Sequence, residues 1–295
     1  MKQTNKNQLP PAGGPPAHLL ELVEPVKLFD DYYYVGNHLV GIHILKTSVG
    51  LVLFDSTDLV DADEKMLIPG LKKLGLENEK ILVVFLTHGH FDHYLGAEHI
   101  RLRTGCDVAL SQEDTAFMTW SVDNRGLNKP QLIPRITKLV EDGEELHFGE
   151  HTVYVMSAPG HTPGCLNYSF EVHDNGEAHR VLLFGGYGVF GPGNFPEEDY
   201  PYGTVYAVDY ALQFAASCVK TWEYCKEKNC DVYLNPHPQL CDLLEHAEKN
   251  KTRKPGEPNA FVIGKDGVRK WILERFEVCM DCAPKFTDIR QEYTE

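Results

Sequence analysis

The sequence predicts an α/β layered sandwich, two packed sheets with helices on their outer faces. Two observations carry this reading. Strand-like runs are followed by helical stretches in each half of the chain, the alternation of a layered α/β protein. One run, Ile81–Leu86, is apolar without a break, as in a strand buried on both faces. At 295 residues with 42% hydrophobic side chains, the chain is long enough to bury a large core.

Residues 1–19 read as a flexible N-terminal arm, because two Pro-Pro pairs flank a Gly-Gly. Residues 20–295 read as one domain built of two αβ halves. Tyr32–Val35, Leu39–Leu45 and Gly50–Phe54 are strand-like, rich in Tyr, Val, Ile and Leu. Asp61–Leu74 has helical spacing, with Met66, Leu67, Leu71 and Leu74 on one face and a break or kink expected at Pro69-Gly70, which would make two short helices. After the buried strand come a helix over Tyr94–Thr104 and a short strand at Val108–Leu110. Met118–Pro134 reads as an irregular loop over a site. In the second half, strands fit Thr152–Met156, Leu166–Phe170, Val181–Phe184 and Val232–Leu234. Helices fit Val205–Lys228 and Asp266–Val278.

Charge and composition narrow the function. A formal net charge of −15 argues against nucleic acid and against an anionic membrane surface as partners. No run approaches the ~18 apolar residues of a membrane span. The polar, proline-rich start lacks the ~7–15-residue apolar core of a signal peptide, which points to a cytoplasmic protein. In that setting the eight cysteines read as free thiols, and Cys279-Met-Asp-Cys282 is a lone CxxC without a partner pair.

The chemistry concentrates in three segments. Thr87-His88-Gly89-His90-Phe91-Asp92-His93 follows directly on the buried strand, where loops carry function. If the chain leaves the strand extended, His88 and His90 point to one side. Turning into the next helix then puts Asp92 and His93 on another bearing, so one loop can feed two metals. Imidazole with carboxylate is a zinc ligand set. In Ala158-Pro159-Gly160-His161-Thr162-Pro163-Gly164, two Pro-Gly turns bracket and aim one histidine. Leu234-Asn235-Pro236-His237-Pro238 pins another between prolines. A competing motif, the GxGxxG of Gly186–Gly191, fails as a dinucleotide site because Pro192, Gly193 and Pro196 deny it the helix it must open.

HGHFDH at 88–93, GHTPG at 160–164 and PHP at 236–238 resemble the metallo-β-lactamase superfamily, over most of residues 25–280. His237 as the last ligand, and Asn259-Ala260-Phe261-Val262, are similar to its third lactamase subclass. The resemblance implies a four-layer αββα sandwich with two Zn2+ at one edge of the paired sheets. It implies that His88, His90 and His161 hold one zinc, that Asp92, His93 and His237 hold the other, and that Asp55 buttresses the metal loop. The sequence departs from the pattern at Gly185-Gly186-Tyr187-Gly188. There Tyr187 stands at or near the family's bridging aspartate, and Tyr187 and Val189 replace serines that hold substrate in that subclass.

The activity so implied is a dinuclear zinc hydrolase acting on a small molecule. A metal-bound hydroxide would open an amide, ester, lactone or thioester carbonyl, β-lactams included. Asp92 would orient the water as well as bind metal, and Tyr187 would either aim its hydroxyl at the reaction or pack. Wall residues are expected from Met118–Leu132 with Trp120, and from Phe190–Tyr206 with Phe195, Tyr200, Tyr202 and Tyr206. Cys165 lies beside GHTPG, and no lysine or arginine stands beside the motifs to grip a substrate carboxylate. The alternative is an iron-dependent redox enzyme of the same fold, although flavin-coupled di-iron relatives carry a carboxylate where this chain has His90. A scaffold that had lost its chemistry would have lost ligands, and all six are present. The nucleic-acid-processing branch is disfavoured by the charge and by the lack of room for its extra domain.

Overall fold

Seven strands form the first sheet in the order of the chain: β1 (Val26–Phe29), β2 (Tyr32–Gly36), β3 (Gly41–Thr47), β4 (Gly50–Phe54), β5 (Ile81–Phe85), β6 (Asp107–Leu110) and β7 (Lys138–Leu139). The first four pair antiparallel, and β4 to β7 pair parallel. The second sheet runs β12 (Val232–Leu234), β11 (Glu177–Leu183), β10 (Leu166–Asp174), β9 (His151–Ser157), β8 (Glu145–Phe148), parallel only between β11 and β12. The computed structural model describes residues 16–124, 133–188 and 203–292, the backbone alone at 121–124, 203–209 and 281–292.

Period-two alternation divides the side chains between two cores. Tyr32, Tyr34, Val52, Phe54, Val83 and Phe85 face the second sheet. Tyr33, Val35, Leu51, Leu53 and Val84 face outward, onto the helices that cover the first sheet. Ile81–Leu86 is therefore apolar throughout because both its faces are buried. Across the sandwich, Phe54 of β4 stacks on Phe170 of β10 with ring centroids 4.9 Å apart. Burying each such ring contributes about 1.5–3 kcal/mol.

Helices complete the outer layers. A π-helical turn, Asp63–Leu67, leads into α1 (Ile68–Leu74), and with α3 (Ala97–Thr104) they supply the outer core of the first sheet. The long α5 (Gly203–Lys228) and α7 (Gly264–Glu292) lie against one another and bury Cys218, Cys225, Val268 and Ile272 in the core of the second sheet. This is the layered α/β sandwich expected. Among the described residues, no helix is long and apolar enough to cross a membrane.

One local expectation holds in part and one is corrected. At Pro69-Gly70 the helical run changes type without ending: the π-helical Asp63–Leu67 gives way to α1, with Pro69 in its first turn. Gly70 lets that helix approach β2, since a Cβ there would lie 2.5 Å from Val35 Cγ1. Met118–Pro134 is not irregular at its start. It begins inside α4 (Gln112–Asn124), whose first turn is capped by Ser111 Oγ accepting the Asp114 amide at 3.2 Å. Residues 125–132 lie outside the described residues, as do the arm at 1–15, Val189 and the Phe190–Tyr202 stretch with Phe195 and Tyr200. The side chains of Tyr206 and Cys282 lie outside them too. The other seven cysteines are buried free thiols.

Candidate metal centre

Parallel strands β4, β5 and β6 all deliver their C-terminal ends to one edge of the sandwich, where sites of open α/β sheets are built. Asp55 follows the end of β4, and its φ of 61° turns the carboxylate back under the next strand's loop. Asp55 Oδ1 accepts the Thr87 amide at 2.7 Å, and Oδ2 accepts Thr87 Oγ1 at 2.9 Å. His93 Nδ1 reaches the same Oδ2 at 2.7 Å. His90 is extended (φ −81°, ψ 146°) and caps a single helical turn, α2 (Phe91–Tyr94), that carries Asp92 and His93. The Ser56 amide and hydroxyl both donate to the His93 carbonyl at 2.8 Å, fixing that turn.

The structure brings all six expected donors together as two triads. One donor atom each of His88, His90 and His161 lies within 4.8 Å of the others, and the same holds for Asp92, His93 and His237. The triads adjoin, with the His88 and His93 ring centroids 3.9 Å apart. His88, His90 and His93 are buried, while Asp92 is 20% and His237 16% exposed.

Hydrogen bonding at the outer ring nitrogens decides which nitrogen faces inward. His161 Nδ1 donates to the Gly188 carbonyl and His237 Nδ1 to the Leu39 carbonyl, each at 2.7 Å. Thr87 spends its one hydroxyl proton on Asp55, so at 3.0 Å it accepts from His88 Nδ1. In the neutral tautomers so fixed, each Nε2 presents a lone pair. Yet His161 Nε2 lies 3.2 Å from His88 Nε2. His93 Nε2, fully buried, has no hydrogen-bond partner among the described residues. His93 Nε2 and His237 Nε2 each lie 3.6 Å from Asp92 Oδ2. Lone pairs converging at such separations repel unless a cation lies between them. The edge of a tetrahedron with zinc–nitrogen bonds of 2.0–2.1 Å is about 3.3 Å, so the donor set fits a metal ion of that kind.

Electrostatics agree with this reading. Burial pushes the His88 pKa well below the ordinary value, helped by the neighbouring histidines. Burial also lowers His161 to about 4 and lowers His237. These rings are held neutral, the form that binds metal. For His93, burial is outweighed by Asp92 and Asp55, which raise it. Burial opposes ionisation of Asp92, but His93 and His237 prevail and lower it.

Residues 43–174 match the metallo-beta-lactamase superfamily. A solved subclass B3 metallo-beta-lactamase of Bradyrhizobium japonicum superposes with a TM-score of 0.75 at 24% identity, covering 92% of this chain and 98% of that one. A metallo-beta-lactamase from Legionella gormanii gives 0.71 at 22% identity, covering 92% and 98%. The chain has the metallo-beta-lactamase fold. Among curated proteins, a hydroxyacylglutathione hydrolase of Rhizobium johnstonii is 30% identical over 114 residues, 39% of this chain and 38% of that protein. A mitochondrial persulfide dioxygenase of Bos taurus is 29% identical over 119 residues, 40% of this chain and 39% of that protein. The aligned stretch thus spans about two fifths of the length of these two relatives.

Within this metallo-beta-lactamase fold, two residues near the donors, Asp114 and Phe117, were not singled out by sequence. Asp114, buried in the first turn of α4, accepts the Gly89 amide at 2.7 Å, Thr162 Oγ1 at 2.6 Å and the Gly164 amide at 2.7 Å. It clasps the HGHFDH loop to the GHTPG loop. Burial pushes its carboxyl up to about 6 against the pull of those three donors. Its only sequence signal was Ser111-x-x-Asp114, which reads as a helix cap. Phe117 of α4 meets the His90 ring edge-on at 5.6 Å and adjoins Trp120 at 6.0 Å, giving an aromatic wall beside the first triad.

Arg275 stacks on Tyr187. It comes from α7, remote in sequence, and its guanidinium lies 4.8 Å over the Tyr187 ring. Buried at 7% exposure, it has Nε and Nη1 without hydrogen-bond partners among the described residues. Tyr187 follows β11, where Gly186 passes so close to His161 that a Cβ would lie 2.9 Å from the His161 Cβ. Cys165 is fully buried, and burial pushes its thiol well up, so it serves packing.

Proposed function

We propose that the protein is a dinuclear zinc hydrolase that opens the carbonyl of a small thioester, lactone, ester or amide. The observation that carries this is the pair of adjoining triads, with inward nitrogens whose lone pairs converge and whose outer nitrogens are fixed by Asp55, Thr87, Leu39 and Gly188. His88, His90 and His161 would hold one ion, and Asp92, His93 and His237 the other. When bound, two zinc ions supply a polarised carbonyl and a nucleophile drawn from water at neutral pH.

The chain's own groups do the positioning. Asp92, partly exposed and with its pKa lowered, is an ionised acceptor able to orient a water for attack. Phe117 and Trp120 supply an apolar wall for the acyl or leaving group. Tyr187, where the family's bridging aspartate would stand, offers a phenol or a ring platform in place of a carboxylate. A thioester is favoured among the substrates, because the hydroxyacylglutathione hydrolase relative is named for one and the serines of the third lactamase subclass are replaced.

The test pairs metal content with turnover of a thioester, a lactone and a cephalosporin reporter, with and without chelator. Chelator-sensitive hydrolysis, and loss of both zinc and turnover in His90→Ala, is expected. The persulfide dioxygenase relative supports a second reading, an iron-dependent redox enzyme. Iron in the purified protein, with no hydrolysis of any reporter, would replace the first reading with that one.

A further inference from the structure

A second convergence of histidine and carboxylate lies at the far end of the sandwich. His151 opens β9, whereas His161 follows the other end of that strand. His173 lies near the end of β10, and Asp31 sits in the turn between β1 and β2. One donor atom each of Asp31, His151 and His173 lies within 4.8 Å of the others. Glu150 stands beside them, its carboxylate held by the Ser48 amide at 3.0 and 3.1 Å. The cluster shares no residue with the triads and does not rest on the hydrolase reading.

Hydrogen bonding again sets the tautomer. His151 is buried, at 3% exposure, and its Nδ1 donates to the Glu171 carbonyl at 3.0 Å. Its Nε2 therefore carries the lone pair, facing Asp31 Oδ2 at 3.4 Å and Glu150 Oε1 at 3.5 Å. A lone pair set against two carboxylate oxygens is repulsive unless a proton or a metal ion lies between. Distance separates these cases. A proton shared with a carboxylate draws the atoms to about 2.7–2.9 Å, as it does where His173 Nδ1 meets Asp31 Oδ2 at 2.7 Å. The His151 separations instead match the roughly 3.3 Å tetrahedral edge around zinc.

We propose that Asp31, His151, His173 and Glu150 form a further metal site, structural in character, that takes a divalent transition-metal ion such as zinc. Two imidazoles and two carboxylates suit zinc and close a four-coordinate site. Zinc takes the place of the His173 Nδ1 proton, which is released to water. The His173–Asp31 separation opens by about half an ångström to reach the tetrahedral edge, a movement the 37%-exposed His173 ring can make. The ion joins the two sheets. Asp31 belongs to the first, while His151 and His173 belong to the second, and the Asp30 amide already donates to the His173 carbonyl across the gap at 2.8 Å.

Full-length protein is stripped with chelator, titrated with Zn2+ alone, and its bound zinc counted after gel filtration. The parent is expected to bind one equivalent more than His173→Ala, and also one more than Glu150→Gln, with turnover of the chosen reporter unchanged in both. Both replaced side chains are partly exposed, so the variants should fold, and zinc should raise the Tm of the parent more than theirs. A protein with His88→Ala, His90→Ala and His237→Ala should still bind one equivalent, which separates this site from the candidate catalytic one. Equal zinc counts in the parent, His173→Ala and Glu150→Gln would overturn the proposal, whatever becomes of the hydrolase reading.

Discussion

Asp114 Oδ2 accepts the amide of Gly89 at 2.7 Å, and through that bond a helix outside both metal motifs sets the position of the first. The same carboxylate holds Thr162 and Gly164 of the second motif. Asp114→Asn places an amide donor where three donors already converge, so at least one buried group loses its acceptor. The expected cost is about 1–3 kcal/mol of stability, with weakened zinc binding because both loops loosen together. Urea unfolding and zinc titration check this; a variant with parental values in both would reduce the clasp to an incidental contact.

Asp55 acts one bond further from the metal, through the 2.7 Å contact of its Oδ2 with His93 Nδ1. That contact keeps the Nδ1 proton in place and the Nε2 lone pair aimed at Asp92. Asp55→Asn retains the shape but can offer an N–H to the ring, favouring the wrong tautomer. Zinc affinity is expected to fall by about 10–100-fold, the usual loss for a partner that orients a metal-binding histidine. Competition against a chromogenic chelator measures it, and an unchanged affinity would show that His93 is oriented by other contacts.

Sequence made the donors legible because each lies in a local signal: a strand end followed by HGHFDH, or a histidine between Pro and Gly turns. The interlocking of the loops was not legible, since Asp114 meets Gly164 across 50 residues and Arg275 meets Tyr187 only once α7 packs. Strands of the inner sheets were legible where both faces are apolar, as in Ile81–Leu86. The edge strands β7 and β8 were not, although the short β6 and β12 were. β7 has two residues and β8 has four, of which only Leu146 is buried, so neither builds a periodic signal. The start of α4 was masked by the prolines at 130 and 134, which lie beyond its end, although the Ser111 cap opens the helix well before them.

The Tyr187 ring lies 4.8 Å under the buried Arg275 guanidinium, and such a desolvated cation–π contact is worth about 2 kcal/mol. Tyr187→Phe keeps the ring and is expected to leave stability within about 0.5 kcal/mol, whereas Tyr187→Leu should lower the Tm clearly. Kinetics of the Phe variant then isolate the hydroxyl. A fall in kcat at unchanged Tm assigns the phenol to the reaction, and unchanged kcat and KM assign Tyr187 to packing alone. A Tm that falls equally in Phe and Leu variants would contradict the stacking account.

At the end of β10, Asp174 is gripped by Arg253 through Oδ1–Nη1 at 2.9 Å and Oδ2–Nη2 at 2.5 Å, a bidentate pair only 14% and 18% exposed. The Arg253 hydrogen bonds hold the Asp174 pKa below the ordinary carboxylate value. A depressed folded-state pKa means that the pair's stability is present above the unfolded value near 3.8 and is lost as pH falls through the folded one. Arg253→Met should therefore cost about 1.5–3 kcal/mol at pH 7, and the gap to the parent should narrow as pH is lowered below about 4. Unfolding curves at several pH values test the sign directly. A gap that stays constant or widens in acid would show that Arg253 stabilises the loop by packing rather than by its charge.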